Sequence, residues 1–106
     1  MKNDGWIGVD LDGTLAEYHG FVSPDHIGPP VPLMLRRVKE WLADGRTVKI
    51  FTARVSVPEQ AQPIKAWLKK HGLPDLEITN VKDQHMDQLW DDRAVRVKRN
   101  TGRRIL

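Results

Sequence analysis

The chain contains no cysteine. That excludes a disulfide scaffold, a cysteine nucleophile and a thiolate metal site, and it fits a reducing compartment. It also lacks any apolar run near the roughly 20 residues of a membrane span, and no signal-peptide core follows the first residues. A cytoplasmic protein with no membrane partner is therefore expected. No repeat, low-complexity tract or linker divides the sequence. Its 106 residues imply one domain over 1–106, with about two-thirds of the unfolded chain's surface buried, and leave little room for a second domain. Charge imbalance is small, a formal +3, and much of it falls between Arg93 and Arg104. Such a segment reads either as a solvated basic edge or as a surface that attracts phosphorylated or nucleic-acid substrates.

What is present is ordinary globular material, 40% hydrophobic and 29% charged, arranged in alternating patterns. Gly5–Leu11 is short, apolar and interrupted by acids at its end, as a buried strand would be. Residues 12–31 carry glycine and proline among polar residues without helical period, which points to a functional loop, with a small hairpin around Tyr18–Phe21. A helix is expected over Pro32–Asp44: Pro32 suits its first turn, Gly45 suits the position past its end, and Met34, Leu35, Val38, Trp41 and Leu42 form its apolar stripe. Thr47–Thr52 reads as a second strand. A second helix is expected over Pro58–His71, starting near Gln60 or Gln62 so that Pro63 lies in its first turn, with Ile64, Trp67 and Leu68 inward. Leu76–Thr79, Gln88–Trp90 and Ala94–Val97 complete a set of five strands. The order predicts an α/β fold: a Rossmann-like domain of three layers, with a mostly parallel sheet and helices on both faces. The interval Asn80–Asp87 is too short for a good crossover helix and fits that scheme poorly.

Asp10-Leu11-Asp12-Gly13-Thr14 follows the first strand directly. Functional residues of parallel sheets gather beyond the carboxyl ends of their strands. Two acids at i and i+2 can point to one side, and Gly13 permits a sharp turn. A calcium loop would need further oxygen ligands at regular spacing and a closing glutamate, which are missing. If Asp10, Asp12, Asp91 and Asp92 converge at neighbouring strand ends, their repulsion calls for a cation, and an all-oxygen site suits magnesium.

These residues resemble the haloacid dehalogenase-like hydrolases. Asp10-x-Asp12-Gly13-Thr14 is similar to that family's first signature, Ile50-Phe51-Thr52 to the second, Lys82 to the third and Trp90-Asp91-Asp92 to the fourth, in the family's order. The resemblance implies a magnesium-dependent phosphatase. Asp10 would attack phosphorus and become an aspartyl-phosphate, and Asp12 would serve as acid and then base. Thr52 and Lys82 would stabilise the phosphoryl group. Magnesium would be held by Asp10, the Asp12 backbone carbonyl, Asp91 and Asp92. Gly13, Thr14, Thr52, Ala53, Arg54 and Lys82 would contact the substrate. The loops leave no room for the cap domain of many relatives, so the site would be open to a large phosphorylated substrate or covered by a second copy in a homo-oligomer. Asp91-Asp92-Arg93, Arg54 and the basic segment are also similar to the phosphatase part of polynucleotide kinase-phosphatases, which makes a polynucleotide 3′-phosphate the alternative substrate. A non-catalytic phosphate- or nucleic-acid-binding module is the alternative from another functional class.

Overall fold

The computed structural model describes residues 5–106. Four strands form one all-parallel sheet: β1 (Trp6–Val9), β2 (Thr47–Phe51), β3 (Ile78–Thr79) and β4 (Met86–Trp90), in the order β3-β2-β1-β4. β1 is central and buried at every position. Helix α1 (Pro32–Ala43) joins β1 to β2, and α2 (Ala61–Lys70) joins β2 to β3. Both helices stop where the sequence places a glycine. Gly45 N–H bonds to the Leu42 carbonyl and Arg46 N–H to that of Trp41, and Gly72 and Leu73 repeat the pattern on Lys69 and Leu68. Each is a Schellman cap, which satisfies carbonyls that a helix end leaves open. Pro63 falls in the first turn of α2 and removes no helical bond.

The sheet is covered by helices on one side. Ile7, Val9, Val48 and Ile50 share a core with Met34 and Val38 of α1 and with Ile64, Trp67 and Leu68 of α2. Alternation sends Trp6, Lys49 and Phe51 to the opposite face. There Trp6 stacks on Phe51 at 6.4 Å, and the Lys49 ammonium lies 4.5 Å from the Trp6 ring. Met86, Trp6 and Leu89 close around Gly8 on this same face, so a Cβ there would meet them at 3.0–3.3 Å. Helices on both faces were expected, and that expectation is corrected: among the described residues, no helix covers the Trp6–Phe51 face. The reason is topological. Right-handed crossovers running β1→β2→β3 in one direction put both helices on one side. The opposite side needs a crossover helix between β3 and β4, and that interval contains only turn and coil.

The expected fifth strand also fails to join the sheet. Within Ala94–Val97, only Val97 forms a bridge, an isolated antiparallel one with Arg104. Its residues are exposed, so they have no buried face with which to extend the sheet. Likewise, no strand pair forms within Tyr18–Phe21; the loop is closed lower down, where Ala16 bridges Pro30. No helix among the described residues is long and apolar enough to cross a membrane.

Candidate active site

The site begins where β1 runs out. Its loop sequence alternates between core and solvent. Leu11 and Leu15 are fully buried, and the Leu11 carbonyl accepts N–H bonds from Thr14, Leu15 and Ala16 at 2.8–3.2 Å. The apolar residues thus plug the core and leave Asp10 and Asp12 at the strand ends. Asp10 N–H donates to the Trp90 carbonyl at 2.9 Å, which ties the end of β1 to the end of β4, where Asp91 and Asp92 follow.

The structure brings Asp10, Asp91 and Asp92 together. One carboxylate oxygen from each lies within 4.8 Å of the others. Gly13 makes this convergence feasible. Its φ of +88° is a left-handed conformation that favours glycine, and a Cβ there would lie 2.6 Å from an Asp92 oxygen. Thr14 locks the same residue: its hydroxyl donates to Asp92 Oδ1 at 3.1 Å and accepts the Asp92 N–H at 3.0 Å. Thr14, expected to contact substrate, also fixes this acid in place. The Asp91 carboxylate accepts the Arg93 N–H at 2.8 Å.

The acid cluster is electrostatically unbalanced. The Asp10 carboxyl is pushed up to about 7. Burial contributes most, followed by the Asp91 charge and by the hydrogen bond and charge of Asp92; a bond from the Leu11 N–H opposes them. None of the ion pairs formed among the described residues involves these three acids. Three oxygen donors without a compensating cation are a fit for a hard divalent ion such as magnesium, which favours carboxylates and retains open positions for water or phosphate.

Asp12 stands apart from this group. Both its oxygens accept bonds from Arg54, 2.7 Å from Nε and 2.9 Å from Nη2, in the bidentate geometry that guanidinium favours. Arg54 also donates to the carbonyls of Pro24 at 2.9 Å and His26 at 2.8 Å. The Asp12 hydrogen bonds raise the Arg54 pKa further above its ordinary value. Arg54, expected to contact substrate, ties Asp12 to the Pro24 and His26 carbonyls of the loop. That contact joins residues 42 positions apart and left no signature in the local sequence.

Thr52 follows β2 and is 2% exposed, the one buried polar side chain among the described residues. Its hydroxyl accepts the Arg54 N–H at 3.2 Å. Ala53 opens the short 3₁₀ turn that carries Arg54. Lys82 is not drawn into the cluster. It lies exposed in the segment between β3 and β4, with no hydrogen bond or ion pair among the described residues.

A cavity of about 160 Å³ adjoins Asp12 and Arg54 under the overhanging loop, with Tyr18, Phe21, His19 and His26 in its walls. The loop is anchored at its base. Trp67 Nε1 donates to the Gly28 carbonyl at 2.8 Å, a buried bond from α2. Gly28 itself approaches the Glu17 carbonyl so closely that a Cβ would collide with it.

No protein-family model matches the chain, and no curated protein matches it. Among solved structures, it is similar to a conserved protein from Bacteroides thetaiotaomicron, with a TM-score of 0.66 and 22% identity, over 88% of this chain and 79% of the other. A likeness at that identity shows the fold alone: an α/β domain with a parallel sheet.

Proposed function

We propose that this domain is a magnesium-dependent phosphomonoester hydrolase of the haloacid dehalogenase-like type, without a cap, and that Asp10 is its nucleophile. The observation that carries this reading is the convergence of Asp10, Asp91 and Asp92 within 4.8 Å at adjoining strand ends. Beside it stand the separately held Asp12 and the buried Thr52. A surface acid turn would not need a glycine shaped to admit Asp92, nor a threonine spent on fixing it.

Asp10, Asp91 and Asp92 are the side chains that would hold the ion. When bound, magnesium supplies positive charge that neutralises the carboxylates and the substrate phosphate. Ionised Asp10 then attacks phosphorus, the bond to the leaving oxygen breaks, and the phosphoryl group passes to Asp10. The Thr52 hydroxyl donates to a phosphoryl oxygen. Asp12 protonates the leaving oxygen and later takes a proton from the water that hydrolyses the aspartyl-phosphate. With both Asp12 oxygens occupied by Arg54, the acid step requires one of those bonds to open. Arg54 is therefore a positioning residue for Asp12. Lys82, exposed in the segment after β3, would offset charge on the phosphoryl group.

The test is turnover of a panel of phosphomonoesters, including p-nitrophenyl phosphate, sugar phosphates, nucleotides and end-phosphorylated oligonucleotides. Magnesium-dependent hydrolysis that disappears in Asp10→Asn is expected. Absence of turnover across the whole panel, or equal activity in Asp10→Asn, would overturn the proposal.

A further inference from the structure

Residues beyond Asp92 form a small structure of their own. Lys98 N–H donates to the Arg103 carbonyl at 2.7 Å, and Ile105 N–H donates to the Arg96 carbonyl at 2.8 Å. With the Val97–Arg104 bridge, these bonds define an antiparallel hairpin over residues 96–105. Its turn includes Asn100, the one non-glycine residue with positive φ among those described. Opposed residues in such a pair share a face. Arg96, Lys98 and Arg103 therefore project on one side, with Ile105 among them.

No ion pair among the described residues neutralises this face. Residues 93–106 include Arg93, Arg96, Lys98, Arg99, Arg103 and Arg104 and no acid. None of these cations takes part in an ion pair among the described residues, whereas Arg46, Lys49, Arg54 and Lys65 are all paired elsewhere. Lys98 stands directly opposite Arg103, an arrangement of like charges that destabilises a two-stranded ribbon. A polyanion laid along the face would reverse that penalty. The hairpin is also tethered to the acid cluster. Lys98 lies six residues beyond Asp92, so even a fully extended chain separates them by at most ~21 Å. Tyr18 and Phe21 are 50% and 76% exposed and line the cavity next to Asp12. They offer the kind of aromatic surface on which nucleic-acid bases stack.

We infer that the 96–105 hairpin binds the sugar-phosphate backbone of a single-stranded nucleic acid and delivers the phosphorylated end of that strand to Asp10. Delivery rests on the phosphatase reading above; backbone binding does not. The charge is repeated along a ribbon instead of gathered in a pocket, which suits a polymer of phosphates and gives little purchase on a small anion.

The experiment uses fluorescein-labelled single-stranded oligonucleotides ending in a 3′-phosphate, a 5′-phosphate or hydroxyls, with binding read by anisotropy between 50 and 200 mM salt (about the range over which phosphate contacts are read out). Two variants are compared with the native chain: the triple Arg96→Ala, Lys98→Ala, Arg103→Ala, and the single Lys98→Glu. The second replaces the opposed like charges with an ion pair, so it leaves the hairpin better paired while removing cationic surface. Tight, salt-sensitive binding by the native chain is expected. Affinity should fall at least about tenfold in both variants, and the triple variant should lose about 2 from the log–log salt slope, near 0.7 for each phosphate contact on a single strand. Turnover of p-nitrophenyl phosphate should be unchanged in both.

Absence of binding at 50 mM salt, or equal binding by native chain and variants, would overturn the inference. So would binding to phosphatidylserine vesicles in place of the oligonucleotides. Hairpin-dependent binding with no hydrolysis of any phosphate would support the binding surface and sink the phosphatase reading.

Discussion

At the residue scale, the site depends on a few side chains whose roles differ from what their type suggests. Asp10 is the clearest. Its carboxyl is raised to about 7 by burial and by two neighbouring acids, so without a cation part of the population is protonated near neutral pH. A raised folded-state pKa means the folded protein holds a proton that the unfolded chain has released. The metal-free domain therefore loses stability from this group as pH rises from about 4 to about 7. Asp10→Asn removes that dependence. In chelator at pH 7.5 it should melt several degrees above the native protein, on the order of 1–2 kcal/mol after allowing for solvent screening of a half-exposed group. An unchanged melting curve would show that the acids do not strain one another. Gly13 makes a second case. Gly13→Ala sets a methyl group against the Asp92 carboxylate and strains a left-handed backbone. Magnesium affinity measured by calorimetry should fall at least about tenfold, a greater effect than Gly→Ala at the exposed Gly20 or Gly102.

At the element scale, the overhanging loop is held by two bonds to its backbone from Arg54 and one from Trp67. Trp67→Phe keeps the buried ring but leaves the Gly28 carbonyl without its donor, costing about 1–3 kcal/mol in thermal or urea denaturation. Arg54→Lys cannot reproduce the bidentate fork. It should lower kcat for p-nitrophenyl phosphate by tenfold or more with a smaller change in KM. An intact kcat would mean that Asp12 needs no orientation. These contacts explain what was hard to read in the sequence. The two helices were legible because Ile64, Trp67 and Leu68 keep helical spacing and Gly45 and Gly72 stop each helix at a definite place. The Asp12–Arg54 pair was not, because a contact across 42 residues leaves no periodic trace. The segment around Val95 and Val97 alternates like a strand, yet both valines stay exposed and it joins no sheet. It pairs locally instead, through Val97 and Arg104.

At the scale of the whole molecule, helices cover one side of the sheet among the described residues, where both sides were expected. The progressive β1-α1-β2-α2-β3 order was readable, and so was the shortness of the interval after β3. Their joint consequence, a sheet with helices on one side only, follows from the handedness of crossovers applied to both helices together. The acids at the strand ends were also legible, because parallel strands align their carboxyl ends by construction. Since the cluster draws on β1 and β4 from opposite ends of the sequence, ion binding should stabilise the entire fold. At a hundredfold excess over Kd, magnesium should add about 2.7 kcal/mol, seen as a rise in Tm of roughly 10 °C or more for a domain this small. Asp91→Asn should abolish most of that rise, and chelator should reverse it in the native chain. A Tm indifferent to magnesium would contradict the assignment of Asp10, Asp91 and Asp92 to one ion.

The central claim of the proposed mechanism is that Asp10 carries the phosphoryl group. It is tested most directly by acid-quenching the protein during turnover of a phosphomonoester with magnesium and mapping the modified peptide by mass spectrometry. The account predicts a transient, acid-stable and base-labile phosphoryl adduct on the peptide containing Asp10, absent in Asp10→Asn and absent without magnesium. Turnover with no adduct on that peptide, or an adduct on another residue, would contradict it.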